Sequence, residues 1–289
     1  MKLLRFPFLD FLSYHLNTPR DSRRAAKIFD SKINEIQYPF RFVETDEMCI
    51  LYTGERNGYR IAEYVMDLIR MTDVQKLAID IGLIPNNRHF FSLKYIENVF
   101  YVHLHGESIA SESFSTLFNH LKGPFDYILI DPSIEGRLDI NFTLTSHTFI
   151  FENANWMRRE HLLTLRGEYL CTRDTQFDED DMIAFIKQWR DGTDTTLRNI
   201  MIVNNHRAFD EDRLVTEFNA VPWDEERRAK DFVCWGVSIS GKKDPVVPCS
   251  EGFDFERGDG LLATIQLRAA RTKMEFFVWH DRFPVREQE

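Results

Sequence analysis

At 289 residues, with 43% hydrophobic and 13% aromatic side chains, the chain has ordinary globular composition and room for two compact units, which excludes a disordered protein. Lys and Arg number 36 against 46 Asp and Glu, a net charge of −10 that makes a phosphate backbone an unfavourable partner, so no nucleic acid is expected. No apolar run approaches the ~20 residues that span a bilayer, and Cys49, Cys171, Cys234 and Cys249 lack CxxC spacing. These features predict reduced thiols in a soluble cytoplasmic or nuclear protein with no membrane partner.

In chain order, residues 6 to 36 read as short helices. "FPFLDFLSYHL" carries Phe8, Leu9, Leu12 and Leu16, and the next helix opens on Thr18 as a cap with Pro19 at its first position. Two strand-like runs follow, "FRFV" at 40–43 and "CILY" at 49–52. From 60 to 218, strand and helix patterns alternate, with strands recurring roughly every 20 to 30 residues. The strands are "KLAIDI", "VFYVHL", "DYILI", "TFIF", "EYLC" and "LRNIMIV". Helices are expected at "IAEYVMDLI", "FFSLKYIE", "FSTLFNHL", Trp156 to Leu165, 178 to 191 and 208 to 218. The fold class is therefore α/β. One strand and one helix per repeat fits a leucine-rich-repeat-like array, and a doubly wound sheet is the competing arrangement. Between 230 and 280, "DFVCWGVSIS", "FDFERGDGLLATIQL" and "EFFVWH" predict a small β cap, with Asp259-Gly260 as a hairpin turn.

One stretch, "FDEDDMIAFIKQWRDG" at 177–192, sets four acids ahead of an amphipathic run. Met182, Phe185, Ile186 and Trp189 share one helical face. Asp178 stands where an N-cap acceptor belongs, Glu179 to Asp181 lie in the first turn, and Gly192 is expected to take a left-handed terminating conformation. The acids are read as a helix start and not as a catalytic cluster.

The search for chemistry is otherwise sparse. No phosphate-binding glycine motif follows a strand, and "GERNG" at 54–58 lacks the lysine and the spacing. His103 and His105 in "HLH" fall on one side of a strand, close enough to share a metal. No cysteine or acid accompanies them at ligand spacing, so they read as the wetter face of a strand end. Asp126 and Asp131 read as polar strand ends flanking "YILI". Trp223, Trp235 and Trp279 read as core or groove wall. No catalytic residue, metal or cofactor is expected.

The segment "NANWMRREHLLTLRGEYLCTRDTQFDEDDMIAFIKQWRDGTDTTLRNIMI" resembles the core of the type-2 F-box-associated domain of nematode F-box proteins. The likeness rests on Trp156, Met157, Leu162, Leu163, Leu165, Lys187, Trp189, Gly192 and Leu197. "AEYVMDLI" resembles an earlier helix of that family. "GFDFERGDGLLATIQL" with "FFVW" resembles its C-terminal hairpin, through Arg257, Asp259, Gly260, Ala263, Thr264 and Ile265. On this likeness, residues 1–38 correspond to a diverged F-box and 39–289 to the associated domain. The resemblance implies the substrate-recognition subunit of an SCF-type cullin-RING ubiquitin ligase, a non-enzyme that binds a Skp-type adaptor and, through it, a cullin. Pro7, Phe8, Leu9, Leu12, Leu16, Pro19, Ile28 and Phe29 would face the adaptor, and the αβ domain would hold a target protein that the sequence does not name. Ser22, Arg23, Arg24, Ala25, Ala26 and Lys27 depart from the family's Leu-Ile-rich second helix. The alternative is a binding scaffold of the same descent without adaptor binding.

Overall fold

The computed structural model describes residues 3–5, 27–33, 36–44, 48–53, 76–81, 96–139, 144–234 and 246–284. The chain is α/β and divides into two compact units, Met1–Leu138 and Asp139–Glu289.

In the first unit, strands β1 (Leu3–Arg5), β2 (Lys27–Ile33), β3 (Ile36–Glu44) and β4 (Met48–Thr53) form a sheet in the order β1-β4-β3-β2. Here the expectation of helix through residue 36 is corrected: 27–33 and 36–44 pair as antiparallel strands. Ile28, Phe29 and Ile33 are residue types that favour a pleated backbone, and Phe29 stands in register with Phe40 across the ladder. The "FRFV" and "CILY" strands are present within β3 and β4.

The same unit contains three parallel strands in sequence order, β5 (Lys76–Asp80), β6 (Tyr101–His105) and, beyond the short β7 (Ser108–Ala110), β8 (Phe125–Ile130). Parallel neighbours need a crossover, and helix α1 (Ser111–His120) supplies the one from β6 to β8. Phe114, Leu117 and Phe118, at i, i+3 and i+4, are its buried stripe. Strand β9 (Ser133–Glu135) pairs in parallel with β7. The helices expected at 61–69 and over most of 90–97 lie outside the described residues.

The second unit holds a mixed sheet. Strands β10 (Ser146–Phe151), β11 (Tyr169–Thr172) and β12 (Asn199–Val203) run parallel, again in sequence order. Helix α2 (Arg159–Thr164) crosses from β10 to β11, and α3 (Glu179–Asp191) crosses from β11 to β12. After α4 (Glu211–Phe218) the chain adds β13 (Val221–Pro222), a hairpin of β14 (Asp231–Val233) and β15 (Val246–Pro248), then β16 (Phe253–Glu256), β17 (Leu262–Arg268) and β18 (Lys273–Trp279). Strand β18 pairs antiparallel with β12, and β17, β16 and β13 follow it outward. Gly260 takes φ +88° in the β16–β17 turn, as the Asp-Gly signal predicts.

The acid cluster at the start of α3 is structural, as read. Asp178 accepts from the Asp181 N–H at 3.1 Å while Asp181 accepts from the Asp178 N–H at 3.0 Å, a reciprocal box. Glu179 is buried, accepts the Asp210 N–H at 2.7 Å and pairs with Arg207, which ties α3 to the start of α4. Burial alone would raise the Glu179 carboxyl, but the backbone N–H groups and Arg207 outweigh it and hold it below the ordinary value.

At the other end of α3 the expected left-handed glycine is corrected. Gly192 has φ −92° and ψ −176°, an extended conformation. Glycine is required there by crowding, since a Cβ would fall 2.7 Å from the Gln188 carbonyl oxygen. Termination comes instead from Arg257 on the distant hairpin. Its guanidinium donates to the carbonyls of Trp189 at 3.3 Å and Asp194 at 2.6 Å, lies 4.8 Å from the Trp189 ring centroid and pairs with Asp259 at 2.7 Å.

A second buried arginine fastens the C-terminal strands. Arg228 and Asp254 are both fully buried, and the Arg228 Nε–H is shared between the two Asp254 carboxylate oxygens at 3.0 and 2.9 Å. Arg228 also donates to the Cys249 carbonyl at 2.8 Å, and Asp254 accepts from the Thr264 hydroxyl at 2.6 Å. That hydroxyl in turn accepts from the Trp279 indole at 2.8 Å. Trp279 is thus core, as expected, Trp223 is half-buried and Trp235 lies outside the described residues. Breaking this network leaves a buried charge alone. Arg228→Met is expected to cost about 3–5 kcal/mol in chemical denaturation, against about 1 kcal/mol for Asp178→Ala at the exposed cap; equal costs would contradict the assignment.

Candidate functional site

Of the residues expected to face an adaptor, Pro7, Phe8, Leu9, Leu12, Leu16 and Pro19 lie outside the described residues. Ile28 and Phe29 lie on β2, opposite Arg41 and Phe40, and not on a helix. The structure therefore places two of the eight, side by side on a strand.

The described residues bring together a group that the sequence reading kept apart. His103 and His105, two residues apart on β6, project to the same face at its C-terminal end. Parallel pairing of β6 with β8 matches Tyr101 with Tyr127 and Leu104 with Ile130, so Asp131 falls one step beyond, beside His105. The Asp131 N–H donates to the Leu104 carbonyl at 3.0 Å, which locks that placement. Asp131 Oδ2 lies 3.0 Å from His103 Nε2 and 2.9 Å from His105 Nδ1. The expectation that no acid stands at ligand range of the two histidines is therefore corrected. The acid is 28 residues from His103, and only the strand pairing brings it near.

His103 is 7% exposed, while His105 and Asp131 keep a quarter and a third of their side chains open, so the cluster has a closed floor and a wet mouth. The two imidazole rings pack with centroids 3.5 Å apart. Below them Tyr101 and Tyr127 stack at 4.8 Å and form an apolar wall. Burial by itself would raise the Asp131 carboxyl, but hydrogen bonds from His103 and His105 and their charge hold it well below the carboxylate range. Burial, helped by the Asp131 charge, pushes the Tyr101 phenol above its ordinary value. One ligand atom from each of His103, His105 and Asp131 lies within 4.8 Å of the others. Among the described residues no other three His, Cys, Asp or Glu side chains converge this way. Asp126, the other polar strand end, is not part of the group.

The second unit carries a shallow groove lined by Leu165, Arg166, Leu170, Phe185, Gln188 and Leu197. Of the residues behind the family resemblance, Leu165, Trp189, Gly192 and Leu197 line it. Met157, Leu162, Leu165, Trp189, Leu197 and Arg257 are buried, so that likeness is written mostly in core and clasp positions.

No family model matches the chain. It is similar to two uncharacterised proteins of Caenorhabditis elegans. The protein F59B2.9 is 27% identical over 165 residues, 56% of this chain and 37% of the relative. F59B2.8 is 24% identical over 206 residues, 70% of this chain and 46% of the relative. The matched region spans less than half the length of either relative. No solved structure matches. No helix among the described residues is long and apolar enough to cross a membrane.

The lowered Asp131 carboxyl fixes the sign of a pH effect. A carboxyl whose folded value is depressed adds stability above its unfolded value, about pH 4, and loses it as pH falls toward the folded value. Wild type is expected to exceed Asp131→Asn in stability at pH 7, with the difference shrinking progressively below about pH 4. A difference independent of pH, in denaturant titrations across that range, would show that the carboxylate charge is not what the histidines hold.

Proposed function

We propose that this chain is a non-catalytic protein-binding receptor, the substrate-recognition subunit of an SCF-type ubiquitin ligase. The observation that carries the reading is the order of the parallel strands. In each unit consecutive strands lie side by side, β5-β6-β8 and β10-β11-β12, as stacked strand–helix units of a leucine-rich-repeat-like array would. Strands β16 to β18, added antiparallel beyond β12, would act as the terminal β cap. The residues behind the F-box-associated resemblance support it further, because Leu165, Trp189, Gly192 and Leu197 line one groove and Arg257 donates to the Trp189 carbonyl beside it. Both relatives are nematode proteins, the group in which that family is found.

In this role the N-terminal segment docks the Skp-type adaptor, which connects it to a cullin, and the αβ domain holds the target. Such a receptor accelerates ubiquitin transfer by proximity alone. A second reading, a scaffold that has lost the adaptor, is favoured by one observation. Ile28 and Phe29 sit on a strand of the β1–β4 sheet, where they could not present a helical docking face.

Co-expression of the full chain with a Skp-type adaptor separates the two. The receptor reading predicts a stoichiometric complex on size exclusion that is lost in Phe8→Glu and Leu12→Glu, since large apolar anchors supply most interface energy. A folded chain that elutes alone would contradict it and leave the scaffold.

A further inference from the structure

We propose that His103, His105 and Asp131 form a binding site for a first-row divalent metal ion of the zinc type. The proposal is independent of the receptor reading. It rests on the convergence of three ligand atoms at the C-terminal edge of adjacent parallel strands, where α/β sheets place their ligands.

The donor set selects the ion class. Two imidazoles and one carboxylate suit zinc and its neighbours, whereas magnesium and calcium take oxygen ligands. His103 Nε2 and His105 Nδ1 both point at one oxygen, Asp131 Oδ2, at 3.0 and 2.9 Å. A metal can take the place of these direct nitrogen–oxygen contacts. Only a small adjustment is required, because zinc sits about 2.0–2.2 Å from nitrogen and carboxylate oxygen.

Three further observations point the same way. The backbone fixes the ligands, since the histidines share a strand face and the Asp131 N–H is held by Leu104. The mouth is open at Asp131 and His105, so an ion has an entry path and three protein ligands leave a position for water. The stacked Tyr101–Tyr127 pair sets an aromatic surface next to the cluster along the same strands.

The test uses the full chain, stripped with a chelator, then titrated with zinc in competition with a chromophoric chelator. One zinc per chain is expected, with affinity lower by about 100-fold or more in Asp131→Asn and in His105→Gln, because each loses a direct ligand. Bound zinc below about a tenth of an equivalent in wild type, or unchanged affinity in both variants, would overturn the proposal. Where a variant fails to fold, cobalt(II) bound to wild type decides. Visible ligand-field absorption of nitrogen and oxygen ligation is expected, and a thiolate charge-transfer band would place the ion on a cysteine and overturn the assignment.

Discussion

Parallel strand pairing is the constraint on which the rest of this structure depends. A parallel strand cannot return by a tight turn, so each step from β6 to β8, β10 to β11 and β11 to β12 spends a crossover segment on the way back. Those crossovers cover the sheet. They explain why α1 and α3 carry one apolar stripe each, and why strands such as β8 and β10 bury residues on both faces. The same pairing aligns the C-terminal ends of neighbouring strands, and so sets His105 beside Asp131.

The antiparallel C-terminal strands solve a different problem. Among the described residues no further parallel strand is added beyond β12, and β18, β17 and β16 continue the sheet, with Asp254 and Glu275 buried on them. Arg257 ends α3 by donating to the Trp189 carbonyl in its last turn and to the Asp194 carbonyl just beyond it, and Arg228 locks Asp254, Thr264 and Trp279 into one connected network. Fully paired charges of this kind give geometric specificity more than stability, because desolvating them is itself costly. Apolar packing does the bulk of the holding. Phe255 stacks on Phe218 at 5.0 Å and Trp189 meets Phe276 edge-on at 5.2 Å, which is where the phenylalanine-rich composition is used.

Local features were legible in the sequence and long-range ones were not. The start of α3 was readable letter by letter because a capping box involves residues three apart, and the Asp259-Gly260 turn for the same reason. The end of α3 was misread, since its cap is an arginine 68 residues from Trp189 and no local pattern announces it. The two histidines were visible as a same-face pair. Their partner Asp131 looked like an ordinary strand end, because only the register between β6 and β8 relates it to His105. A reading that had aligned successive strand ends, instead of searching for close ligand spacing, would have found it. At the N-terminus, helix-like letters up to Thr18 and Pro19 were extended through Ile28 and Phe29, whose β-branched and aromatic character fits the strand they form.

The aligned ends of β6 and β8 create a compact histidine–aspartate cluster. The cluster as a metal centre is the claim that reaches furthest from the sequence. Anomalous diffraction at the zinc edge, from crystals of the full chain grown with zinc, tests it most directly. The account predicts one strong peak about 2.0–2.2 Å from ligand atoms of His103, His105 and Asp131. Full density for these three side chains with no anomalous peak between them would contradict it.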